Sequence, residues 1–451
     1  MSNGSPVLWG GHECTVNRIG EVWSDQTERT GHQTRVNDLD LFADVGVRAL
    51  RYPVLWERTE TEPGRWDWRW SDGRLTRLRA LGVRPIVGLI HHGSGPAWTN
   101  LLDPGFAEGL ARHAARTCER YPWVRDWTPV NEPLTTARFS ALYGHWYPHR
   151  TDERDFWLAL LNQIDATRLS MQAIRRVNPD ARLIQTEDFG ATYGTGPCAS
   201  QARFENDRRL MTWDLLCGRV TAGHPLYDRI AGFGLEDRLR VIAGDQCPPD
   251  VIGMNHYVTS DRFLDHRLER YPAASHGANG HLAYADVEAV RAMSQRPGGW
   301  REHLSFLWDR YGRTLAVTEC HLGAEPDEQI RWFDECWNAA CALADEGVPV
   351  EAVTAWALLG AVDWDSLLTR QDGRYEPGAF DVSTGAPVSG PFAAWLRGIA
   401  SPRGHSHPAL AAEGWWSRDD RRCFHPELED PPDGHLAARL AQPSFTEDLT
   451  G

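Results

Sequence analysis

Two glutamates carry the strongest chemical signal in the chain. Glu132 stands in "DWTPVNEPL" and Glu319 in "TLAVTEC", each at the end of a short β-rich apolar run. Arg51, His91, His92, Asn131, Asn255 and Tyr257 occupy the same kind of position at the ends of other such runs. Two carboxyl groups brought together are what cleavage of an acetal needs. One protonates the leaving oxygen, and the other stabilises or captures the oxocarbenium-like sugar. A separation of about 5 Å lets the second carboxylate attack and retains configuration, whereas about 6.5–9.5 Å admits a water and inverts it. The neighbours suit that chemistry. Arg51 can hold a carboxylate ionised, Tyr257 can donate to it, and Asn131 can bond a sugar hydroxyl. His91 and His92 are consecutive on a strand and are expected on opposite faces, so no shared metal site is expected. No organic cofactor is expected either, because two carboxylates and a water suffice.

Residues this far apart converge only if the elements beneath them are arranged for it. Eight β-rich runs alternate with helical patterns: 7–10, 49–56, 84–92, 124–133, 181–188, 250–258, 314–320 and 351–360. Such alternation predicts an α/β fold, a closed parallel (β/α)8 TIM barrel, whose strand ends all share one face. The helical stripes fit its outer ring. Phe106, Leu110, Ala114, Cys118 and Tyr121 recur at helical spacing, as do Ile330, Phe333, Trp337, Cys341 and Ala344. Long connections follow the fourth strand ("TTARFSALYGHWYPHRTDERD") and the sixth (about forty residues rich in Gly, Pro and His), where a barrel builds its active-site face. The reading is one barrel domain over 1–400 with long βα loops, followed by a C-terminal extension over 401–451. That extension either wraps the barrel through Trp415 and Trp416 or is partly mobile.

Composition narrows the partners. A net charge of −15 over 451 residues argues against nucleic acid as a partner, which requires a clustered basic surface that this composition does not advertise. No apolar run is long enough to span a membrane, and the start "MSNGSPVLWG" lacks the basic head and apolar stretch of a secretory signal, so a cytoplasmic location is expected. The nine cysteines are odd in number, lack a CxxC pair and sit in apolar segments, which predicts reduced, buried thiols. The 21 tryptophans are mostly packing, although sugar rings also stack on aromatic planes.

The ordered set "ALRYPVLWERTE", "PIVGLIHH", "DWTPVNEP", "DVIGMNHYV", "LAVTEC" and "VTAWALLGAVDW" resembles the β-glucosidase family called glycoside hydrolase family 1, over about residues 7–385. The resemblance implies a retaining β-glycosidase acting on a small carbohydrate or glycoside. Glu132 would be the acid/base and Glu319 the nucleophile. Arg51, Tyr257 and Asn255 would support them, and Asn131 would bind the sugar 2-hydroxyl. His91 would reach a sugar hydroxyl with His92 beside it among the substrate-binding residues, Trp356 would lie under the sugar, and Asp363 and Trp364 would hold its far hydroxyls. Asn17 falls where the family keeps a glutamine that grips the sugar. This chain departs from the family pattern at His92 (usually Trp), at Cys320-His321 (usually Asn-Gly), and at Asn17 and Asp363, each one methylene short. The shortened pair is expected to loosen the grip on the sugar and to favour a modified or bulkier one over plain glucose. Transfer of the sugar to an acceptor by the same intermediate, and a barrel that binds sugar without cleaving it, are the competing readings.

Overall fold

Runs such as "RPIVGLIH" are apolar at almost every position because both faces of a parallel barrel strand are covered. The structure, a computed structural model, describes residues 4–401 and 406–424. Its eight barrel strands are β1 (Val7–Gly11), β2 (Ala49–Pro53), β3 (Arg84–His91), β4 (Asp126–Asn131), β5 (Arg182–Asp188), β6 (Val251–His256), β7 (Thr314–Cys320) and β8 (Val350–Ala355). They form a closed parallel barrel in chain order, with β1 hydrogen-bonded to both β8 and β2. All eight expected runs are strands; β7 has the expected bounds, β1 runs one residue further, β5 starts one residue later, and the other five stop one to five residues short where the chain leaves the barrel.

Inside the barrel, Trp9, Ile86, Ile184 and Val251 interleave with Ala49, Ala316 and Ala352, large against small, so the interior is filled. A charged network lies beneath it. Asp126, wholly buried, takes Arg182 Nε at 2.8 Å and Arg84 Nε at 3.0 Å, and both arginines reach Glu351. Because these pairs start β3, β4, β5 and β8, they tie that end of the barrel together.

The outer helices follow the predicted stripes. In the helix Phe106–Arg120 the faces of Phe106, Leu110, Ala114 and Cys118 are buried, and it packs along Glu153–Val177. In Pro326–Asp345, Ile330, Phe333 and Ala344 are buried while Trp337 and Cys341 are half-buried. The cysteines carry no disulfide; Cys217, Cys341 and the exposed Cys423 depart from the expected burial. Among the described residues no helix is long and apolar enough to cross a membrane.

The segment after β6, read as a loop, is a sheet. Arg262–Asp265, His276–Ala278 and Ala283–Glu288 pair antiparallel, and Thr192–Gly194 joins in parallel from the β5 connection. Phe263, Ala285 and Val287 supply its small core with Tyr193 and Tyr271. Beyond the barrel, residues 406–424 lie on the helix Pro326–Asp345. Trp416 is buried edge-on against Trp332 with its indole N–H donating to Glu335 Oε2 at 2.9 Å, and Trp415 lies under the Arg291 guanidinium. The remainder of the extension falls outside the described residues.

Candidate active site

At the end of β4 the chain turns sharply. Glu132 adopts a left-handed backbone (φ 45°, ψ 63°), and Pro133 opens the short helix Pro133–Ala137. A non-glycine residue in that region costs energy, so neighbours must hold it there. Glu187, buried on β5, is the holder. Its carboxyl accepts from Leu134 N at 2.8 Å, Thr135 N at 3.2 Å, Thr135 Oγ1 at 2.9 Å and Thr212 Oγ1 at 2.6 Å. The backbone immediately after Glu132 is thereby anchored to the neighbouring strand, which aims the Glu132 side chain into the barrel mouth.

On β7, Glu319 is gripped at both oxygens. Arg51 Nη1, from β2, donates to Oε1 at 2.6 Å, and Tyr257, just past β6, donates its hydroxyl to Oε2. The same arginine donates to Thr318 O at 2.8 Å and, through Nη2, to Asn131 Oδ1 at 2.6 Å. Asn255 links the two glutamates' strands: Thr318 Oγ1 donates to its Oδ1 at 2.6 Å, and its Nδ2 donates to Glu132 Oε1 at 2.5 Å. A register irregularity in β6 between Met254 and Asn255 sets Asn255 opposite Glu319. Thus β2, β4, β6 and β7 meet in one hydrogen-bonded network.

The two carboxyls are placed in opposite environments. Burial drives Glu132 well above the ordinary carboxyl range, and the charges of Glu319, Glu187 and Asp188 push it further. Burial also raises Glu319, but there Arg51 and Tyr257 pull back toward the ionised form. The arrangement therefore offers a protonated acid beside a stabilised carboxylate, the division of labour that acid-assisted displacement requires.

Both glutamates line a cavity of about 760 Å³ together with Tyr257, Trp356, Trp364 and His92. His92 departs from the expected alternation: β3 ends at His91, and His92 turns left-handed (φ 56°). The two imidazoles then lie on the same side, 4.9 Å apart and perpendicular, with both Nε2 atoms near Asn131 Nδ2, at 3.4 and 3.3 Å. His92 approaches Glu132 Oε2 at 3.8 Å, and burial, aided by Arg51, pushes it down to about 3, so it is neutral there. His91 stacks on the Trp356 ring at 5.4 Å and lies behind it, beside Arg51 and Asn131, on a second void of about 10 Å³.

Two expected sugar contacts are placed elsewhere. Asn17 is buried on the strand Val16–Ile19, opposite Ser24, and is not among the cavity-lining residues. Asp363 is also buried off the lining: Arg29 Nη2 takes its Oδ2 at 2.5 Å and Arg374 N takes its Oδ1 at 2.7 Å. In their place the cavity presents Glu13, at the mouth of β1. Its Oε1 accepts from Thr15 N at 2.9 Å, and burial brings its carboxyl up to about 7. The strand-end rule that singled out Glu132 and Glu319 applies equally to Glu13 in "VLWGGHECT" and to Glu187 in "LIQTED", and it was the available signal for both.

A sequence model described as "Glycosyl hydrolase family 1" matches residues 14–375. The chain belongs to glycosyl hydrolase family 1. Among relatives of this family 1 hydrolase, a phospho-cellobiase of Klebsiella oxytoca is 24% identical over 356 residues, 72% of this chain and 75% of that protein. A 6-phospho-β-glucosidase of Dickeya chrysanthemi is 24% identical over 363 residues, with the same shares covered. The solved family 1 β-glucosidase from Thermotoga maritima superposes with a TM-score of 0.69 at 18% identity, over 89% of this chain and 98% of that one.

One further group of side chains in the hydrolase has the types a metal favours. His256, Asp261 and His303 bring ligand atoms within 4.8 Å of one another, outside the cavity lining. Each is already engaged: His303 Nε2 pairs with Asp261 Oδ1 at 3.1 Å, Asp261 accepts from Ala191 N at 2.6 Å, and His256 Nδ1 lies 2.7 Å from Phe189 O. The trio braces the turn that carries Tyr257.

Proposed function

We propose that this family 1 hydrolase is a retaining β-glycosidase working by double displacement. Glu319 attacks the anomeric carbon as Glu132 delivers its proton to the departing oxygen, which breaks the glycosidic bond and leaves the sugar esterified to Glu319. Water then enters the leaving-group side, Glu132 takes its proton, and attack at the anomeric carbon frees Glu319. The observation that carries this reading is the unequal support of two carboxyls in one cavity: Glu319 held at both oxygens by a cation and a phenol, Glu132 held by one amide and surrounded by negative charge. A barrel that only binds sugar has no need of that asymmetry.

The relatives' names cover both plain and 6-phosphorylated β-glucosides. Around Trp356 and Trp364 the lining contributes Glu13, Asp365 and Glu376, and a phosphate set among these carboxylates would be repelled. We therefore assign a neutral sugar to the position over Trp356. Barrel and residues 406–424 act as one catalytic unit in this reading, since Trp415 lines the same cavity.

The test is turnover of nitrophenyl glycosides, β-linked gluco, galacto, fuco, manno, xylo, glucuronide and 6-phosphogluco with α-linked controls, by wild type and by Glu319→Gln. A β-glycoside cleaved with retention, and lost in the variant, supports the mechanism. Inverted product, or activity surviving in Glu319→Gln, refutes it. A 6-phosphoglucoside cleaved better than every neutral sugar overturns the assignment of the glycone.

A further inference from the structure

The chemistry above leaves a cluster of arginines in the cavity wall without a task. Arg138 lies six residues after Glu132, and Arg209 ends the helix Ala199–Arg209; both line the cavity. Arg209 is only 5% exposed, yet its Nη1 has no hydrogen-bond partner among the described residues, and Asp188 Oδ2 stands off at 3.6 Å. The Nε of Arg138 and the hydroxyl of Thr192, another lining residue, are likewise buried without a partner. Buried donors left unmet are costly, and a cation so placed more so, which makes this wall anomalous unless something else fills it.

The local charge points the same way. Arg138, Arg208 and Arg209 are three cations gathered near two carboxylates, Asp188 and Glu205. Glu205 is already occupied by Arg208 and by Gln201 Nε2 at 2.8 Å, and Asp188 accepts the hydroxyl of Ser260. Asp261, which Arg209 also senses, belongs to the pair with His303. Across the cavity Asp286 is matched by Arg262 at 2.8 Å, and Glu288 faces in from the same sheet. In a chain of net charge −15, two arginines on one wall, Arg138 and Arg209, with Asp188 as the carboxylate beside them and Glu288 across the cavity, are a local exception.

Its position identifies what part of a substrate it meets. Arg138 follows Glu132 on the connection that leaves β4, and Asp188, which faces Arg209, ends the neighbouring β5, so this wall adjoins the strand end that carries the acid, and the acid faces the leaving oxygen. Phe139 and Tyr143, each with the Arg138 guanidinium over its ring, also line the cavity and supply aromatic surface beside the cation. We propose that Arg138 and Arg209 bind an anionic oxygen group, a carboxylate or a phosphate, carried on the leaving-group half of the substrate. The inference rests on the glycosidase reading only for the words "leaving group"; the anion site itself does not.

The experiment is calorimetric titration of the full chain with 4-hydroxybenzoate, 4-hydroxyphenyl phosphate and the neutral 4-hydroxybenzamide, at pH 7 and low salt. At least one anionic probe is expected to bind ten-fold or more tightly than the amide, and the tighter of the two names the group. The advantage is expected to shrink several-fold in Arg209→Gln and in Arg138→Gln, the second variant serving if the first fails to fold. Equal binding of amide and anions overturns the proposal, as does an anionic preference that survives in both variants. Wild-type turnover of the nitrophenyl panel separates the two claims: an anion preference in a wild type that cleaves no glycoside removes the glycosidase reading alone, while wild-type cleavage without the preference removes this one alone.

Discussion

Removing the phenol that touches Glu319 should move the pH profile by an amount that follows from the structure. Tyr257 donates to Oε2 while Arg51 holds Oε1 at 2.6 Å, so Tyr257→Phe keeps the ring and one of the two grips. Burial raises the Glu319 carboxyl, and the phenol is one of the groups opposing that rise, so its loss leaves the pKa higher still. A hydrogen bond to a charged acceptor contributes about 1.5–3 kcal/mol, and one pKa unit corresponds to about 1.36 kcal/mol, which gives a rise of about 1–2 units. The proposed mechanism needs Glu319 ionised in the free enzyme, so the acid limb of kcat/KM should shift to higher pH by that much. The alkaline limb, set by Glu132, should move less, because Tyr257 does not bond it. Tyr257 itself stays protonated throughout, since burial and the Glu319 charge hold its hydroxyl well above the usual phenol range. The assay is kcat/KM against pH for the best nitrophenyl glycoside. An acid limb that stays within about 0.3 unit of wild type would refute the claim that this hydrogen bond stabilises the carboxylate.

Other consequences can be checked in the same laboratory. Glu132→Gln should lose about 10²–10⁴-fold on glycosides with poor leaving groups, lose far less on nitrophenyl glycosides in the first step, and lack the alkaline limb; uniform loss across leaving groups would contradict its role as the acid. Glu13, with its carboxyl up to about 7, should make KM vary between pH 6 and 8, and Glu13→Gln should flatten that variation; an unchanged KM profile would remove Glu13 from the sugar contacts. Glu187 is likewise raised to about 7, so the folded state holds its proton more tightly than the unfolded one, and stability should fall as pH climbs from about 4.3 toward 7. Denaturant titrations of Glu187→Gln should show a shallower fall over that window, and an identical slope would count against the assignment. Trp416→Ala should cost about 3 kcal/mol by emptying its socket against Trp332, read as a lower melting temperature.

How far the sequence predicts this molecule depends on whether the determining contacts are local. The barrel strands are legible because a strand covered on both faces must be apolar almost throughout, and "PIVGLI" has no other comfortable home. Glu132, Glu319, Arg51, Tyr257 and Asn255 are legible for a related reason: a polar residue closing such a run has to lie at the barrel mouth. Asp363 illustrates what fails. The family resemblance puts it at the sugar, but a left-handed turn (φ 61°) and Arg29, from the far end of the chain, hold it off the cavity lining. For His92, a candidate site residue that does line the cavity, it is the face that is missed, for the same backbone reason: one positive φ cancels the alternation that would have set it opposite His91. The added sheet after β6 was hidden by composition: its strands are short, and the Gly, Pro and His between them obscure the alternation of Phe263, Ala285 and Val287.

The division of roles proposed for the two glutamates is therefore not a property of either glutamate. Both are buried, both would be raised by burial alone, and each would raise the other. What separates them comes from β2 and β6, which deliver Arg51 and Tyr257 to one and only an amide to the other. Arg51 does more than neutralise: by donating also to Thr318 O and Asn131 Oδ1 it ties β7 to β4, and Thr186 Oγ1 closes the chain by donating to the same Asn131 oxygen at 2.7 Å. A network with so many shared donors has little freedom to exchange the two roles, since moving the proton from Glu132 to Glu319 would leave a cation at 2.6 Å and the Tyr257 hydroxyl donating to a neutral acid instead of a carboxylate. The polarity of the reaction is built into the strands around the carboxyls before any substrate enters.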